Sequence, residues 1–483
     1  MDGKRTKQIK GIKSFFWYLI PFSLKSLIPL ITLPIFTRYL NSNDFGLYAL
    51  SIFFGTFLSG IANFGLLVVY ERNFFESKKD KHPVNLLFTN INFIFVNLFI
   101  VLFFSSLFKE TIANLFFNNS KIEDLLIFGL IYCGLKSLNE FFYMYLKNGE
   151  NAKRFSQISL METFLSVTFS LHFVVNLSYG IDGFILGQIL SVGSIFLSLY
   201  GYLFFVKKPS FSYEELKKAL KLSFPLTPRT FFWVIGSQFD RYMLGYIGNL
   251  SGAGIYDIGL KIANVGNTFS TTLKQVFSPK VYQNLFSDDS DRLIKIGKYL
   301  TQFFYLSVLV SLMTCLFSFE IISILTPKEF HDAAIIISIL SILNVFYFFG
   351  KQGQLIFAKK SLLISILSFG AILLNIILNI PMILYFGAVG AAWATLISGV
   401  LSAIITFYFS QKYTPIVWEN KIMYYLTYIL LSFTFILVMQ SLEIVYLQKL
   451  LFKLLILVIY LFMGYRFNMF NSLLRLKFFK KLN

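Results

Sequence analysis

Apolar stretches of about 20 residues recur along the whole chain and alternate with short polar segments. A stretch of that length crosses a bilayer as one helix. The pattern predicts about fourteen membrane helices, with spans at 14–37, 46–69, 85–108, 124–146, 156–176, 183–206, 222–245, 253–278, 299–320, 332–354, 361–384, 387–410, 422–441 and 446–465. The polar segment SLEIVYLQKLLFK interrupts the last pair, so a count nearer twelve is the alternative.

The composition agrees with this pattern. The chain is 56% hydrophobic and 14% charged, and 60 of its 483 residues are Phe. Soluble domains carry about 25% charged residues, and a soluble fold of this composition would expose large apolar patches. Pattern and composition together predict an all-α integral membrane protein. Cys133 and Cys315 lie in different apolar segments, so we expect neither a disulfide framework nor a metal site.

The basic residues, which give a formal net charge of +19, are distributed unevenly across the predicted topology. With the N-terminus inside, about 31 Lys and Arg residues fall on one side of the membrane and about six on the other. The positive-inside rule assigns the richer side to the cytoplasm. We therefore expect both termini to be cytoplasmic, and the bias explains the basic composition without a nucleic-acid partner.

Two pairs of segments indicate an internal repeat. FTRYLNSNDFGLY (Phe36–Tyr48) and FDRYMLGYIGNLSGAGIY (Phe239–Tyr256) both read F-x-R-Y, a polar loop, Gly, an aliphatic residue and Tyr. GIDGFILGQILS (Gly180–Ser191) and GAVGAAWATLIS (Gly387–Ser398) both read G-x-x-G with a Ser eight residues later. Both pairs share an offset of about 205 residues, which is the signature of a duplicated unit.

This offset spans six predicted helices, so the two halves would be parallel and related by an axis along the membrane normal. The predicted organisation is a six-helix bundle at 1–206, a cytoplasmic linker at 207–221, a second six-helix bundle at 222–410, and two extra helices with a basic tail at 411–483. Transporters built this way place the substrate at the interface between the repeats.

Polar side chains form stripes inside several predicted spans. The eighth span is the clearest case, because its polar residues are three or four positions apart and so share one helix face. They are Asp257, Lys261, Asn264, Thr268, Thr271 and Gln275. A polar stripe within a span faces a water-filled cavity or another helix. We expect Asp240 and Arg241, in the preceding span, to face such a cavity.

The charges inside the spans have a positive surplus. The basic residues are Lys25, Lys136, Arg229, Arg241, Lys261 and Lys274, and the acidic ones are Glu140, Glu162, Asp240 and Asp257. A cationic lumen attracts anions, and Arg suits bidentate capture of phosphate or carboxylate, so we expect an anionic substrate. The alternatives are interhelical salt bridges, intrahelical pairs such as Lys136 with Glu140 and Asp257 with Lys261, and snorkelling at helix ends.

Three stretches carry a resemblance to a known family: SLIPLITLPIFTRYLNSNDFGLYAL, FPLTPRTFFWVIGSQFDRYMLGYIGNLSGAGIYDIGLKIA and YFGAVGAAWATLIS. They resemble the multidrug/oligosaccharidyl-lipid/polysaccharide exporter superfamily, specifically its bacterial polysaccharide (O-antigen, Wzx-type) flippases. The resemblance implies a MATE-like fold of two bundles that open alternately to each side. It also implies a substrate of undecaprenyl-pyrophosphate-linked oligosaccharide, moved to the outer leaflet of the bacterial cytoplasmic (inner) membrane.

The resemblance implies roles for the interior charges as well. Its candidate contacts for the anionic headgroup are Lys25, Arg38, Arg229, Arg241 and Lys261. Where the family couples to a proton or sodium gradient, the candidate residues are Glu140, Glu162, Asp240 and Asp257. We expect no bound cofactor or metal. A polysaccharide polymerase and a chain-length regulator are the expected protein partners.

Three other functions remain open at this stage. A lipid II flippase and a multidrug or cation antiporter belong to the same superfamily, although the antiporter would favour a neutral or acidic lumen. A membrane polysaccharide polymerase or glycosyltransferase would need a sizeable outer loop with catalytic residues. The outer segments FKETIANLFFNNSKIED and LTPKEFHD are short, which favours a transporter over an enzyme.

Overall fold

The computed structural model describes residues 24–25, 27–79, 83–117, 122–286, 288–350, 353–442 and 445–469. Nearly all of these residues are helical, and they contain no strand. The helices are α1 (Leu27–Tyr39), α2 (Ser42–Ala62), α3 (Leu66–Lys79), α4 (Pro83–Leu107), α5 (Lys109–Phe117), α6 (Glu123–Asn148), α7 (Ala152–Leu171), α8 (Gly180–Gly201), α9 (Tyr213–Ser223), α10 (Thr227–Ile247), α11 (Leu250–Leu285), α12 (Arg292–Leu316), α13 (Ser318–Leu325), α14 (Ala333–Gly350), α15 (Gln354–Phe357), α16 (Ser361–Tyr413), α17 (Lys421–Ser441) and α18 (Tyr446–Arg466).

The membrane helices follow the prediction closely. Ten helices within the described ranges are long and apolar enough to cross a membrane. One of them, α16, bends at Gly387 (φ 55°, ψ −135°) and so provides two spans. The shorter apolar α1, with α10 and α11, lies where the sequence predicts three further spans. The predicted start of the first span, residues 14–23, lies outside the described residues.

The chain divides into two compact units, Met1–Asp257 and Ile258–Asn483, so the division falls inside α11. The predicted linker at 207–221 instead contains most of α9, which packs on α3 and α4. Ser212 caps this helix: its Oγ accepts from the Glu215 amide at 3.3 Å, and its own amide donates to Thr89 Oγ1 at 3.0 Å. The limits of the two six-helix repeats stay a prediction, because a compact unit and a repeat need not share boundaries.

In the first unit, α6 packs on α2 and α8, α8 also packs on α7, and α2 also packs on α10. Small residues allow the closest of these approaches. A Cβ on Gly55 of α2 would collide with the backbone of Gly129 in α6. Around this contact lie buried apolar side chains of α2, α5, α6 and α8, including Leu50, Phe54, Leu126 and Ile185.

In the second unit, α12 packs against α14 and α17, and α14 packs against α16. Tyr305 of α12 stacks on Tyr460 of α18 with ring centroids 5.0 Å apart, and the Tyr460 hydroxyl donates to the Tyr305 carbonyl oxygen at 2.9 Å. Asn344 of α14 donates to the Ala263 carbonyl oxygen of α11 at 2.9 Å. These two bonds satisfy the Tyr460 hydroxyl and the Asn344 amide within the apolar interior.

The second pair of repeat segments adopts the same backbone conformation twice. Gly180 and Gly387, which the repeat aligns, have φ values of 57° and 55°. Each marks a break between two helical segments, and glycine reaches this left-handed region without the strain that a Cβ imposes. The equivalence predicted from the sequence is therefore present in the backbone.

The first pair of segments makes a reciprocal contact. A Cβ on Gly46, near the start of α2, would collide with the carbonyl oxygen of Leu250, and a Cβ on Gly254, near the start of α11, would collide with that of Ser42. Gly46 aligns with Gly254, and by the same offset Ser42 aligns with Leu250. The Ser42 and Ser251 hydroxyls hydrogen-bond at 2.8 Å beside this contact. An exchange of this kind is what a local two-fold axis produces.

Candidate functional site

A polar cluster surrounds Glu162 inside the first unit. Glu162 lies on α7 and is buried. Its Oε2 accepts hydrogen bonds from the Tyr143 hydroxyl and, at 3.3 Å, from the Asn139 amide, both on α6. Lys25, just before α1, places its Nζ 3.6 Å from Glu162 Oε1. The structure thus brings together one predicted headgroup contact and one predicted coupling residue.

The two charges of this cluster differ in access. The Lys25 side chain is 36% exposed, whereas the Glu162 side chain is only 10% exposed. The Lys25 ammonium also lies over the Tyr143 ring, 5.0 Å from its centroid, where the ring face attracts a cation. Glu162 is held by neighbours on α6, so its carboxylate is fixed, whereas the Lys25 side chain is accessible.

Further charges continue along the same helix. Lys136, one turn before Asn139 on α6, is exposed, and its Nζ lies 5.5 Å from the centroid of the Tyr132 ring. Glu140 is half-buried on the same helix. Residues three and four apart share a helix face, so Lys136, Asn139 and Tyr143 form one polar row that leads to Glu162.

A second cluster joins α10 to α11. Arg241 donates from Nε to Asp257 Oδ1 at 2.7 Å, and from Nη1 to Gln238 Oε1 at 2.6 Å and the Ser237 carbonyl oxygen at 3.1 Å. The side chains of Arg241 and Asp257 are only 12% and 6% exposed. Asp240 accepts from the Tyr256 hydroxyl at 2.9 Å. Asp240 and Arg241 therefore both make contacts between α10 and α11. This arrangement matches the interhelical salt bridge that was the alternative to the expected water-filled cavity.

The other predicted headgroup contacts are Arg38, Lys261 and Arg229. Arg38 is exposed at the end of α1, and Lys261 is half-buried on α11, one turn after Asp257. Arg229 belongs to α10, but its side chain lies outside the described part of the chain. Along the polar stripe of α11, Asn264 is exposed while Ile262 and Ala263 are buried.

The sequence did not reveal the partners that complete these clusters. Tyr143 and Asn139 donate hydrogen bonds to Glu162. Asn139 follows Lys136 by three positions and Tyr143 follows Asn139 by four, and this spacing was the one sequence signal that they share a polar helix face with Lys136. In the second unit, Lys453 of α18 makes two hydrogen bonds to Glu320 of α13, at 2.7 and 2.8 Å. Neither residue was a predicted site residue, although the side chain of Lys453 is only 11% exposed and that of Glu320 only 12% exposed.

An apolar cavity of about 640 Å³ lies between α2, α4, α5 and α10 of the first unit. Its walls are mainly aromatic, with Phe53, Phe57, Phe104, Phe108, Phe117 and Phe239 among the lining residues. The volume falls in the range of about 300–1,000 Å³ that is typical of ligand sites. Walls of this kind accommodate hydrocarbon rather than a polar sugar.

Comparison with known proteins places the chain in a family. The family model described as "Polysaccharide biosynthesis protein" matches residues 12–282, more than half of the chain. An uncharacterized membrane protein of Methanocaldococcus jannaschii is 25% identical over 444 residues, which cover 85% of this chain and 86% of that protein.

Solved structures show the same fold. The lipid II flippase MurJ in an inward closed conformation matches with a TM-score of 0.64 at 18% identity, covering 90% of this chain and 99% of that one. A multidrug resistance MATE family transporter of the MOP superfamily, in an inward-facing conformation, matches with a TM-score of 0.60 at 16% identity, covering 80% and 94%. The resemblance inferred from the sequence is confirmed: the chain is a multi-pass membrane protein that belongs to the polysaccharide biosynthesis protein family and has the fold shared by MurJ and MATE transporters of the MOP superfamily.

Proposed function

We propose that this protein is a flippase that moves a lipid-linked oligosaccharide from the cytoplasmic to the outer leaflet. The expected substrate is an undecaprenyl-pyrophosphate-linked repeat unit for a surface polysaccharide, and the expected site of action is the bacterial cytoplasmic membrane, with both termini in the cytoplasm. The observation that carries the proposal is Lys25, an accessible cation held within membrane helices beside a buried carboxylate. An intramembrane charge of this kind marks a substrate or ion pathway.

The headgroup would bind by exchange of ion-pair partners. Lys25 lies 3.6 Å from Glu162, which is longer than a charge-assisted hydrogen bond of about 2.7–2.9 Å. An incoming pyrophosphate, with more negative charge than one carboxylate, can therefore draw the Lys25 ammonium away. The exposed Lys136 lies on the same polar row and can contact the same anion.

The exchange also suggests a route for coupling. When Lys25 turns to the substrate, Glu162 keeps only the neutral donors Tyr143 and Asn139. A buried carboxylate that has lost its cation partner is costly. We propose Glu162 as a coupling residue, where a proton or a sodium ion takes the place of Lys25 so that its gradient can drive transport.

The aromatic cavity supports a lipid substrate. It lies in the same unit as the Glu162 cluster, and its apolar walls suit the polyprenyl chain of the carrier. A lipid-linked substrate needs an apolar surface of this kind for its carrier chain, whichever saccharide the carrier bears.

The decisive experiment measures the leaflet distribution of lipid-linked saccharides in cells that lack the protein. We expect complete repeat units on the cytoplasmic face and loss of surface polysaccharide, with recovery by the native chain. Recovery should fail with Lys25→Ala and Glu162→Gln, whereas Lys328→Ala, which removes an exposed lysine from a predicted outer loop, should restore export. Accumulation of lipid II would favour the peptidoglycan-precursor flippase instead, and unpolymerised units in the outer leaflet would favour a polymerase.

Alternating access also requires the outer ends of some membrane helices to separate. The starts of α2 and α11, which meet at Gly46 and Gly254, lie on the predicted outer side. Release of a bulky saccharide there requires these helix ends to separate. Cross-linking Ser42→Cys to Ser251→Cys, whose hydroxyls are 2.8 Å apart in the native protein, should stop export until a reductant is added. Undiminished export by the oxidised double variant would contradict the model, and each single variant is the control.

A further inference from the structure

A separate cavity lies at the opposite end of the first unit, on the side that the charge distribution assigns to the cytoplasm. Its volume is about 390 Å³, and it is bounded by the start of α4, the end of α6, the start of α7 and the end of α8. Leu87, Phe142, Ile158 and Leu203 contribute to its apolar wall. The cavity therefore opens where lipid headgroups of the inner leaflet meet the protein.

Basic side chains border this cavity. Arg154 and Lys207 are both exposed, and Asn151 adds an amide donor beside them. No carboxylate belongs to the lining residues within the described part of the chain. Two cations without an acidic partner form a site for an anion, and the apolar wall behind them requires that the anion carry a hydrocarbon chain.

The backbone is shaped to place one of these cations. After α8 the chain forms a π-helical turn over Tyr202–Lys207. In an α-helix, residues five apart point about 140° away from each other, but in a π-helix the i→i+5 hydrogen bonds bring them to nearly the same face. Tyr202 and Lys207 accordingly both line the cavity, and the Lys207 ammonium lies 6.0 Å from the centroid of the Tyr202 ring. Such turns are rare and are frequently found at functional sites.

We propose that this cavity binds an anionic phospholipid of the inner leaflet. The lipid phosphate would lie between the Arg154 guanidinium and the Lys207 ammonium, with Asn151 as a further donor, and one acyl chain would rest against Leu203 and its apolar neighbours. Basic pockets between membrane helices on the cytoplasmic side recognise acidic headgroups in this way. A zwitterionic lipid carries a compensating ammonium, which the two cations would repel, so the site selects for net negative charge.

The test compares lipid retention by the purified full-length protein, measured by native mass spectrometry in micelles that contain phosphatidylglycerol and phosphatidylcholine. We expect the native chain to retain phosphatidylglycerol. The variant Arg154→Gln/Lys207→Gln should lose affinity for phosphatidylglycerol by about 30-fold. This corresponds to about 2 kcal/mol, since each basic residue near the membrane surface contributes about 1 kcal/mol of attraction to an anionic lipid. The control Lys217→Gln/Lys218→Gln removes two exposed basic residues of α9 that do not line the cavity, and it should bind as the native chain does.

A second variant tests the apolar wall without changing charge. Leu203→Trp fills the cavity, so it should reduce phosphatidylglycerol retention while the thermal unfolding of the protein shows that it remains folded. Equal loss in the control pair would reduce the site to general surface charge and overturn the proposal. Unchanged retention in Arg154→Gln/Lys207→Gln would also overturn it.

Two competing ligands distinguish a phospholipid site from an inorganic-phosphate site and from a site for the polyprenyl carrier. Inorganic phosphate should not displace phosphatidylglycerol, because it lacks a chain; displacement by it would show an ion site instead. Undecaprenyl phosphate should compete no better than phosphatidylglycerol. If it binds much more tightly, and the double variant loses it, the cavity is an entry site for the transported carrier and the phospholipid proposal fails.

Discussion

The two copies of the F-x-R-Y motif differ in the surroundings of their arginines. Arg38 is exposed at the end of α1, and no ion pair of its side chain is seen among the described residues. Arg241, in the second copy, is 12% exposed and bonded to Asp257. Alignment of Tyr48 with Tyr256 puts Ala49 where the second copy has Asp257. The residue that follows the motif, Ala49 in one copy and Asp257 in the other, therefore accounts for the different surroundings of the two arginines.

The sequence predicted the same role, contact with the anionic headgroup, for both arginines, but their surroundings indicate two different roles. The motif determines the local helix end in both copies, but the carboxylate on the following helix decides whether the arginine holds the structure or stays accessible. Arg241 joins α10 to α11, so in this conformation its guanidinium is already bonded to protein groups. Arg38 has the access that a headgroup contact requires, and in this respect it resembles Lys25.

The largest expected effect is from Arg241→Ala. The substitution takes the guanidinium away from the buried Asp257 carboxylate, and breaking a buried ion pair in this way costs about 3–5 kcal/mol of unfolding free energy. Thermal unfolding of the purified protein should show the loss. The double variant Arg241→Ala/Asp257→Ala should recover part of that stability, because it leaves no lone charge. A single variant as stable as the native chain would show that the pair is not structural.

An intermediate effect is expected at the reciprocal contact. Gly46→Ala and Gly254→Ala each force a methyl group against a backbone carbonyl, and overpacking of this kind costs about 1–3 kcal/mol. The two losses should be similar, since the contacts are equivalent. Gly370→Ala is the matched control, because a Cβ there meets no atom within 4 Å. Unequal losses in the same unfolding assay would argue against the local two-fold relation.

The smallest effect on stability is expected from Arg38→Ala. An exposed residue without a fixed partner contributes within about 0.5 kcal/mol, so the unfolding temperature should barely change. If Arg38 contacts the headgroup, export of lipid-linked saccharide should still fall, and Arg38→Lys should restore part of it as a point charge. A fall in stability as large as that of Arg241→Ala would remove the contrast between the copies.

The sequence predicted those features that depend on local pattern. The positions of the apolar helices, the break at Gly387 and the repeat all follow from apolar run length and motif spacing. The side-chain partners could not be predicted, because they join residues far apart in the chain: Lys453 and Glu320 are 133 positions apart. Spacing along one helix suggested Lys261 as a neighbour of Asp257, but it could not predict the bond from Arg241 to Asp257 across the α10–α11 hairpin.

The glycine contact between α2 and α11 also limits how far the two halves of the chain can diverge. A side chain gained at Gly46 would be opposed by the backbone of the other copy, and the same holds at Gly254. Neither copy can change at this position on its own, and a simultaneous change would double the collision. Specialisation of one half therefore has to occur away from this contact, as it does where one copy has Ala49 and the other has Asp257.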